Sequence, residues 1–203
     1  MGSSQSHLTK TMLAGKNKGF SLLELLGVIA IIAVLLAIIL PLTRGVSDAA
    51  LRAKTKTQFS QYALALERYR QTYGHFPEFL NKGEPVAIQG SEAIDFIMAL
   101  SVQDLIAGSH ARRFRWNPEA ISFYQFSENE LVRAQGKVVG IADAQGEESI
   151  FILVDKEGRG VLRRGLPRAL LDAVSGQPVE ELVASILIFS KPEGGGRSVC
   201  FYE

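Results

Sequence analysis

An α+β fold is predicted, in which one long N-terminal helix packs its second half on a small antiparallel β-sheet. Three observations predict it. The window from Phe20 to Leu40 is 21 residues long and carries a single charge, Glu24; apolar and aromatic residues then recur every three or four positions as far as Tyr73; and beyond about residue 120 the chain changes to short β-branched and aromatic runs divided by Asn, Asp, Gly and Pro. At 203 residues, with 47% hydrophobic and 21% charged residues, there is room for one anchor and one modest domain. A multidomain enzyme, a polytopic transporter and a fully disordered chain are excluded. The net charge of +1 nominates no charged partner, and Cys200, the single cysteine, forbids an intrachain disulfide and any multi-cysteine metal site.

The first 19 residues hold Lys10, Lys16 and Lys18 and no Asp or Glu. The run LLELLGVIAIIAVLLAIIL that follows meets Pro41 with no A-x-A-like cleavage site behind it, which departs from a secretory signal. As a helix it would span roughly 30 Å, enough to cross a bilayer. The opening MGSSQS also fits the N-myristoylation pattern through Gly2 and Ser6, a short match that the Lys-rich leader outweighs. Lysine and arginine flank both ends of the run, so charge counting gives no orientation. Glu24 needs a partner, a proton or headgroup water, because a carboxylate within a membrane helix costs about 3 kcal/mol on insertion scales. Pro41 lacks an N–H donor and clashes with the preceding turn, so a kink or local melting is expected near residues 37 to 41.

Leu51, Thr55, Phe59, Tyr62, Leu66, Tyr69 and Tyr73 continue the helix as an amphipathic face. It should end at Tyr73-Gly74, with Pro77 preventing a restart. Ser91 is the expected N-cap of a second, shorter helix presenting Ile94, Ile97, Met98 and Leu105. Residues 121–126, 149–154, 161–164, 182–190 and 198–202 read as strands of a sheet of three to five members lying on the amphipathic half of the long helix. Gly194 to Gly196 reads as a turn.

KNKGFSLLELLGVIAIIAVLLAIILP, from Lys16 to Pro41, resembles the N-terminus of type IV pilin and type II secretion pseudopilin precursors. The resemblance implies a pilin fold, cleavage by a prepilin peptidase after Gly19 and N-methylation of the new N-terminal Phe20. It places Glu24 at the fifth mature position and Pro41 at the twenty-second. It also implies a leader in the cytoplasm, a single pass through the bacterial inner membrane, and a periplasmic domain that later joins a periplasmic or extracellular filament. Implied partners are further copies of the chain, other pilins or pseudopilins, an inner-membrane assembly platform and, before assembly, the lipid bilayer. The stretch ALERYRQTYGHFPE is similar to the helix end and following loop of major pseudopilins. On this reading residues 1–19 are the leader, 20–41 the transmembrane and assembly half of the helix, 42–76 its amphipathic half, and 77–203 the globular region.

After such cleavage the Phe20 amine and Glu24 of a neighbouring subunit would be opposite charges at matching depth. Attraction at 4 Å is worth about 4 kcal/mol at an effective dielectric near 20, comparable with the cost of burying one carboxylate in lipid, so their pairing would fix an axial stagger.

Enzyme chemistry is not signalled. His7, His75 and His110 are not at metal-ligand spacing, and Ser109-His110 has neither a nucleophile elbow nor an orienting carboxylate. Asp155 and Glu157 loosely suggest a calcium loop, but Lys156 and Arg159 stand where a hard cation needs oxygen, so no cofactor is expected and a hairpin turn is preferred. Arg112, Arg113, Arg115 and Trp116 form the densest basic and aromatic patch, a candidate single-stranded nucleic-acid contact; without a basic domain around it a solvated loop or subunit contact is favoured. The expected role is a structural filament subunit. The alternatives are a minor pilin acting as a tip or DNA/substrate-binding module and, weaker, an anchored periplasmic enzyme.

Overall fold

The computed structural model describes residues 21–103, 105, 115–167, 178–191 and 198–203, with backbone alone for residues 37–46. Its architecture is α+β, consistent with the pilin fold. The chain divides into two compact units, Met1–Val46 and Ser47–Glu203.

Helix α1 (Leu22–Tyr73) is 52 residues long and runs through both units. Residues 37 to 41 stay helical rather than melting around Pro41, because one missing N–H donor is a local loss within a long cooperative helix. The predicted stop is met: Gly74 takes φ +80°, and its N–H donates to the Arg70 carbonyl at 2.7 Å.

Within Ser47–Glu203 the core is built from the α1 face that carries Phe59, Tyr62, Ala63, Leu66 and Tyr69, all buried. A single apolar cluster joins these residues to helix α2 (Ser91–Leu100) and to the inner face of the sheet, including Ile150, Ile152, Ile186 and Ile188. The sheet contains β1 (Val86–Ala87), β4 (Ile150–Val154), β7 (Ile186–Ser190) and β8 (Val199–Tyr202) in that spatial order, with every pairing antiparallel. Register places Ile152 opposite Ile188 and Ile188 opposite Phe201. The other face is covered too: Leu153, Leu187 and Phe189 pack with Leu162 and Leu182 from a two-stranded ribbon, β5 (Val161–Leu162) and β6 (Leu182–Val183). Burial on both faces explains why β7 reads as a continuous apolar run.

The structure departs from the expected elements in five places. Helix α2 ends at Leu100, so Leu105, expected on its face, packs against the core from beyond its end. Residues 121–126 form no strand: the N–H groups of Phe123 and Tyr124 both donate to the Leu100 carbonyl, and that of Phe126 donates to Gln103 Oε1. Their aromatic side chains pack, but their backbone is spent on the end of α2 instead of a ladder. The run 182–190 breaks into β6 and β7 at Ala184 and Ser185, where the Ser185 N–H donates to the Glu203 carbonyl. The N-cap of α2 is Gly90 at φ +54°, with Ser91 inside the first turn donating to Glu92 Oε2 at 2.9 Å. Finally, β1 and the hairpin of β2 (Leu131–Ala134) with β3 (Lys137–Ile141) were not anticipated; Gln135 and Gly136 turn that hairpin with φ of +51° and +77°.

Gly194 to Gly196 lie outside the described residues.

Candidate functional site

The most unusual surface of the molecule is the start of α1. The backbone N–H of Ser21 donates to Glu24 Oε2 at 2.9 Å, and the N–H of Glu24 donates to Ser21 Oγ at 3.3 Å. This reciprocal pair is a capping box, and it satisfies two of the N–H groups that a helix start leaves without intrahelical acceptors. The carboxylate therefore has a partner within its own chain. The S-x-x-E spacing ahead of an apolar run was the available sequence signal.

Behind the cap, Leu22 and Leu23 are 84% and 78% exposed, and every residue from 21 to 36 is exposed. Contiguous apolar surface of this kind is not stable against water and has to be covered by lipid or protein. Gly27 has open space where a Cβ would stand, so close approach of another helix is sterically free there. Among the described residues no helix is long and apolar enough to cross a membrane. Side chains are described only as far as Leu36 in this run, whereas the sequence stays apolar through Leu40. Gly19 and Phe20, the expected cleavage and methylation positions, lie outside the described residues.

Of the basic and aromatic patch, Arg112 and Arg113 also lie outside them, as do His7, Ser109 and His110. Arg115 is exposed, and its guanidinium carbon sits 4.5 Å from the centre of the Trp116 ring. Trp116 fits neither the favoured solvated loop nor the nucleic-acid candidate: it is 6% exposed and packs edge-on against Phe79 at 5.1 Å. Its carbonyl accepts the Tyr69 hydroxyl at 2.6 Å. A ring used this way is core and has no free face for a base.

Asp155 and Glu157 occur in the turn between β4 and β5. Asp155 Oδ1 accepts the Glu157 N–H at 3.0 Å and its Oδ2 the Gly160 N–H at 2.5 Å, while Glu157 pairs with Arg159 at 3.0 Å. Both carboxylates are committed to the turn, as an Asx-type hairpin requires. Among the described residues no group of three or more His, Cys, Asp or Glu is gathered as a metal site. His75 Nδ1 lies 2.8 Å from the Phe76 carbonyl oxygen.

A line of tyrosines fastens the polar half of α1 to the domain. The Gln58 amide donates to both the Tyr62 hydroxyl oxygen and the Ala142 carbonyl, Tyr124 donates to Glu130 at 2.6 Å, and Tyr73 donates to Asn117 Oδ1 at 2.9 Å. Burial raises the Tyr62 phenol well above its usual range, with the charge of Glu130 adding to it; burial and then the Glu130 hydrogen bond do the same at Tyr124. Burial, followed by the nearby Tyr73, pushes Tyr69 up to about 12. Sequence periodicity located Tyr62, Tyr69 and Tyr73 on one face, but not Trp116 and Asn117, the distant partners of the Tyr69 and Tyr73 hydroxyls.

Comparison with known proteins gives one match. Residues 15–40 match the model of the prokaryotic N-terminal methylation motif, the motif of type IV pilins and pseudopilins. No curated protein matches the chain. No solved structure matches it.

Proposed function

We infer that the chain is the precursor of a structural subunit of a type IV pilus-like or type II secretion pseudopilus filament. The observation that carries this reading is the methylation motif at residues 15–40, which ends where the apolar run of the sequence ends. On this reading a prepilin peptidase cuts between Gly19 and Phe20, Phe20 is N-methylated, and the helix waits in the inner membrane with the C-terminal domain in the periplasm. Assembly through the membrane platform then exchanges lipid for the helices of other subunits. Burial of apolar surface, at about 25 cal/mol per Å2, favours any such contact over exposure to water, while within lipid the choice of neighbour rests on packing and on polar groups.

Glu24 is the polar group placed to make that choice. In the single chain its carboxylate caps its own helix; in a filament the mature Phe20 amine of a neighbour is a stronger, charged partner. The role is mechanical rather than catalytic. Burial of Trp116 and closure of the Asp155 turn favour this reading over a nucleic-acid-binding tip and over a calcium-dependent subunit. The test is sedimentation of sheared material from cells making the chain with and without an active prepilin peptidase. Pelletable polymer is expected only with the peptidase; equal polymer without it would sink the reading.

A further inference from the structure

A second feature of Ser47–Glu203 lies away from the helix. A cavity of about 480 Å3 opens between the loop at residues 82–83, the end of β4 and the strand β5, a size within the usual range of small-molecule sites. Among the described residues its lining holds five cationic side chains against two carboxylates, on a chain whose net charge is only +1. The two carboxylates are spoken for. Asp155 is buried and holds two backbone N–H groups of its own turn, and Glu157 pairs with Arg159. Arg163 is likewise paired, with Glu181 at 3.1 Å. Lys82, Lys156 and Arg164 remain; Lys82 attracts the Glu92 carboxylate from beyond the lining, but among the described residues none of the three forms an ion pair within 4.0 Å.

The walls that carry these cations are fixed by backbone geometry. The Asp155 carboxylate staples the turn that bears Lys156. On the other side Gly165, at φ +71°, lies so close to Pro85 that an added Cβ would collide with Pro85 Cδ. That approach brings the strand end bearing Arg164 against the loop bearing Lys82, which only glycine permits. Like charges gathered in a fixed concavity repel one another, and the arrangement is relieved by an anion. A guanidinium beside ammonium groups suits a tetrahedral oxyanion, since Arg offers a paired N–H fork and Lys a point charge.

We propose that the cavity between the Lys82 loop and the β4–β5 turn is a binding site for a phosphate-bearing small molecule, held by Lys82, Lys156 and Arg164. This inference does not rest on the filament reading. The phosphate belongs either to a soluble phosphorylated metabolite or to an anionic phospholipid headgroup, and the two sources are separable. The full-length chain in neutral detergent is titrated calorimetrically with inorganic pyrophosphate in one arm and with acyl-free glycerophosphoglycerol in the other, at constant ionic strength. Saturable one-site binding is expected in at least one arm. Tighter pyrophosphate binding assigns a soluble phosphate, and tighter glycerophosphoglycerol binding assigns a headgroup. Lys156→Ala/Arg164→Ala, both at exposed positions, should weaken binding by about tenfold or more, whereas Lys137→Ala on β3 should change it by less than about twofold. Unchanged thermal unfolding keeps the double variant interpretable, and Lys82→Ala gives an independent single-site loss. Absence of saturable binding in both arms, or equal binding by wild type and the double variant, overturns the proposal.

Discussion

The Glu24 carboxylate caps its own helix through Ser21, and on the proposed reading it exchanges that partner for a neighbour's amine in the filament. Ser21 and Glu24 are both exposed, so the box contributes about 0.5 to 2 kcal/mol to the helix start, less than a desolvated charge pair can offer in a filament. Three substitutions separate the contributions. Glu24→Ala should leave membrane insertion and leader cleavage largely intact while reducing sheared filament yield several-fold. Glu24→Gln keeps hydrogen-bonding capacity without the charge and should lose assembly to a similar degree, whereas Ser21→Ala keeps the charge and should assemble. Membrane-fraction abundance and filament yield read all three, and full assembly of Glu24→Gln would remove the charge from the account. Tyr69 gives a pH prediction. Its folded phenol is pushed to about 12 from 10.0, so the folded state holds the proton more tightly. The linked stability is therefore complete below pH 10 and is lost as pH rises from there towards 12. Tyr69→Phe should make the alkaline fall in stability shallower, while costing about 1 to 3 kcal/mol at neutral pH through the orphaned Trp116 carbonyl. Urea unfolding at neutral pH and above pH 10 checks both effects. At this scale the sequence singled out Glu24 through its place in the run, but not its Ser21 partner. Trp116 was misread, because an Arg-rich neighbourhood looks the same whether its aromatic ring faces water or core.

Helix α1 was legible nearly throughout, since its signals are local: a long apolar run, an amphipathic spacing after it, and glycine with a following proline at its end; the capping box at its start went unread. Gly74→Ala should cost about 1 to 2 kcal/mol, because an alanine must then hold the left-handed conformation; no loss of stability on denaturant unfolding would mean that the cap is not fixed. The sheet was legible in part. Strands β4, β7 and β8 carry β-branched runs long enough to declare themselves, whereas β1 has only two residues and exists through its pairing with Phe151 and Ile152. Residues 121–126 have strand composition without a strand, because pairing is decided by which backbone lies alongside, and here that is the end of α2. The β2–β3 hairpin went unread because Gln135, a residue seldom used at positive φ, occupies the first turn position.

At the scale of the whole molecule, the chain joins an apolar helix segment without a core of its own to a domain with a two-sided sheet. The Ser47–Glu203 unit buries its apolar face internally, so a fragment with those bounds should be a folded monomer with cooperative thermal unfolding; broad unfolding or aggregation in mild buffer would show that residues 22–46 belong to its core. The phosphate cavity was not legible beforehand, since Lys82 and Arg164 are far apart in sequence and line one cavity where Gly165 lies against Pro85. The first half of α1 has meaning only in company. On the proposed reading its covering is lipid before processing and other subunits after it, and the change between the two begins with a cut after Gly19. The intact mass of the chain extracted from membranes of cells with an active prepilin peptidase tests this most directly. The account predicts a chain that begins at Phe20 and carries one added methyl group, and a chain that still holds residues 1–19 would contradict it.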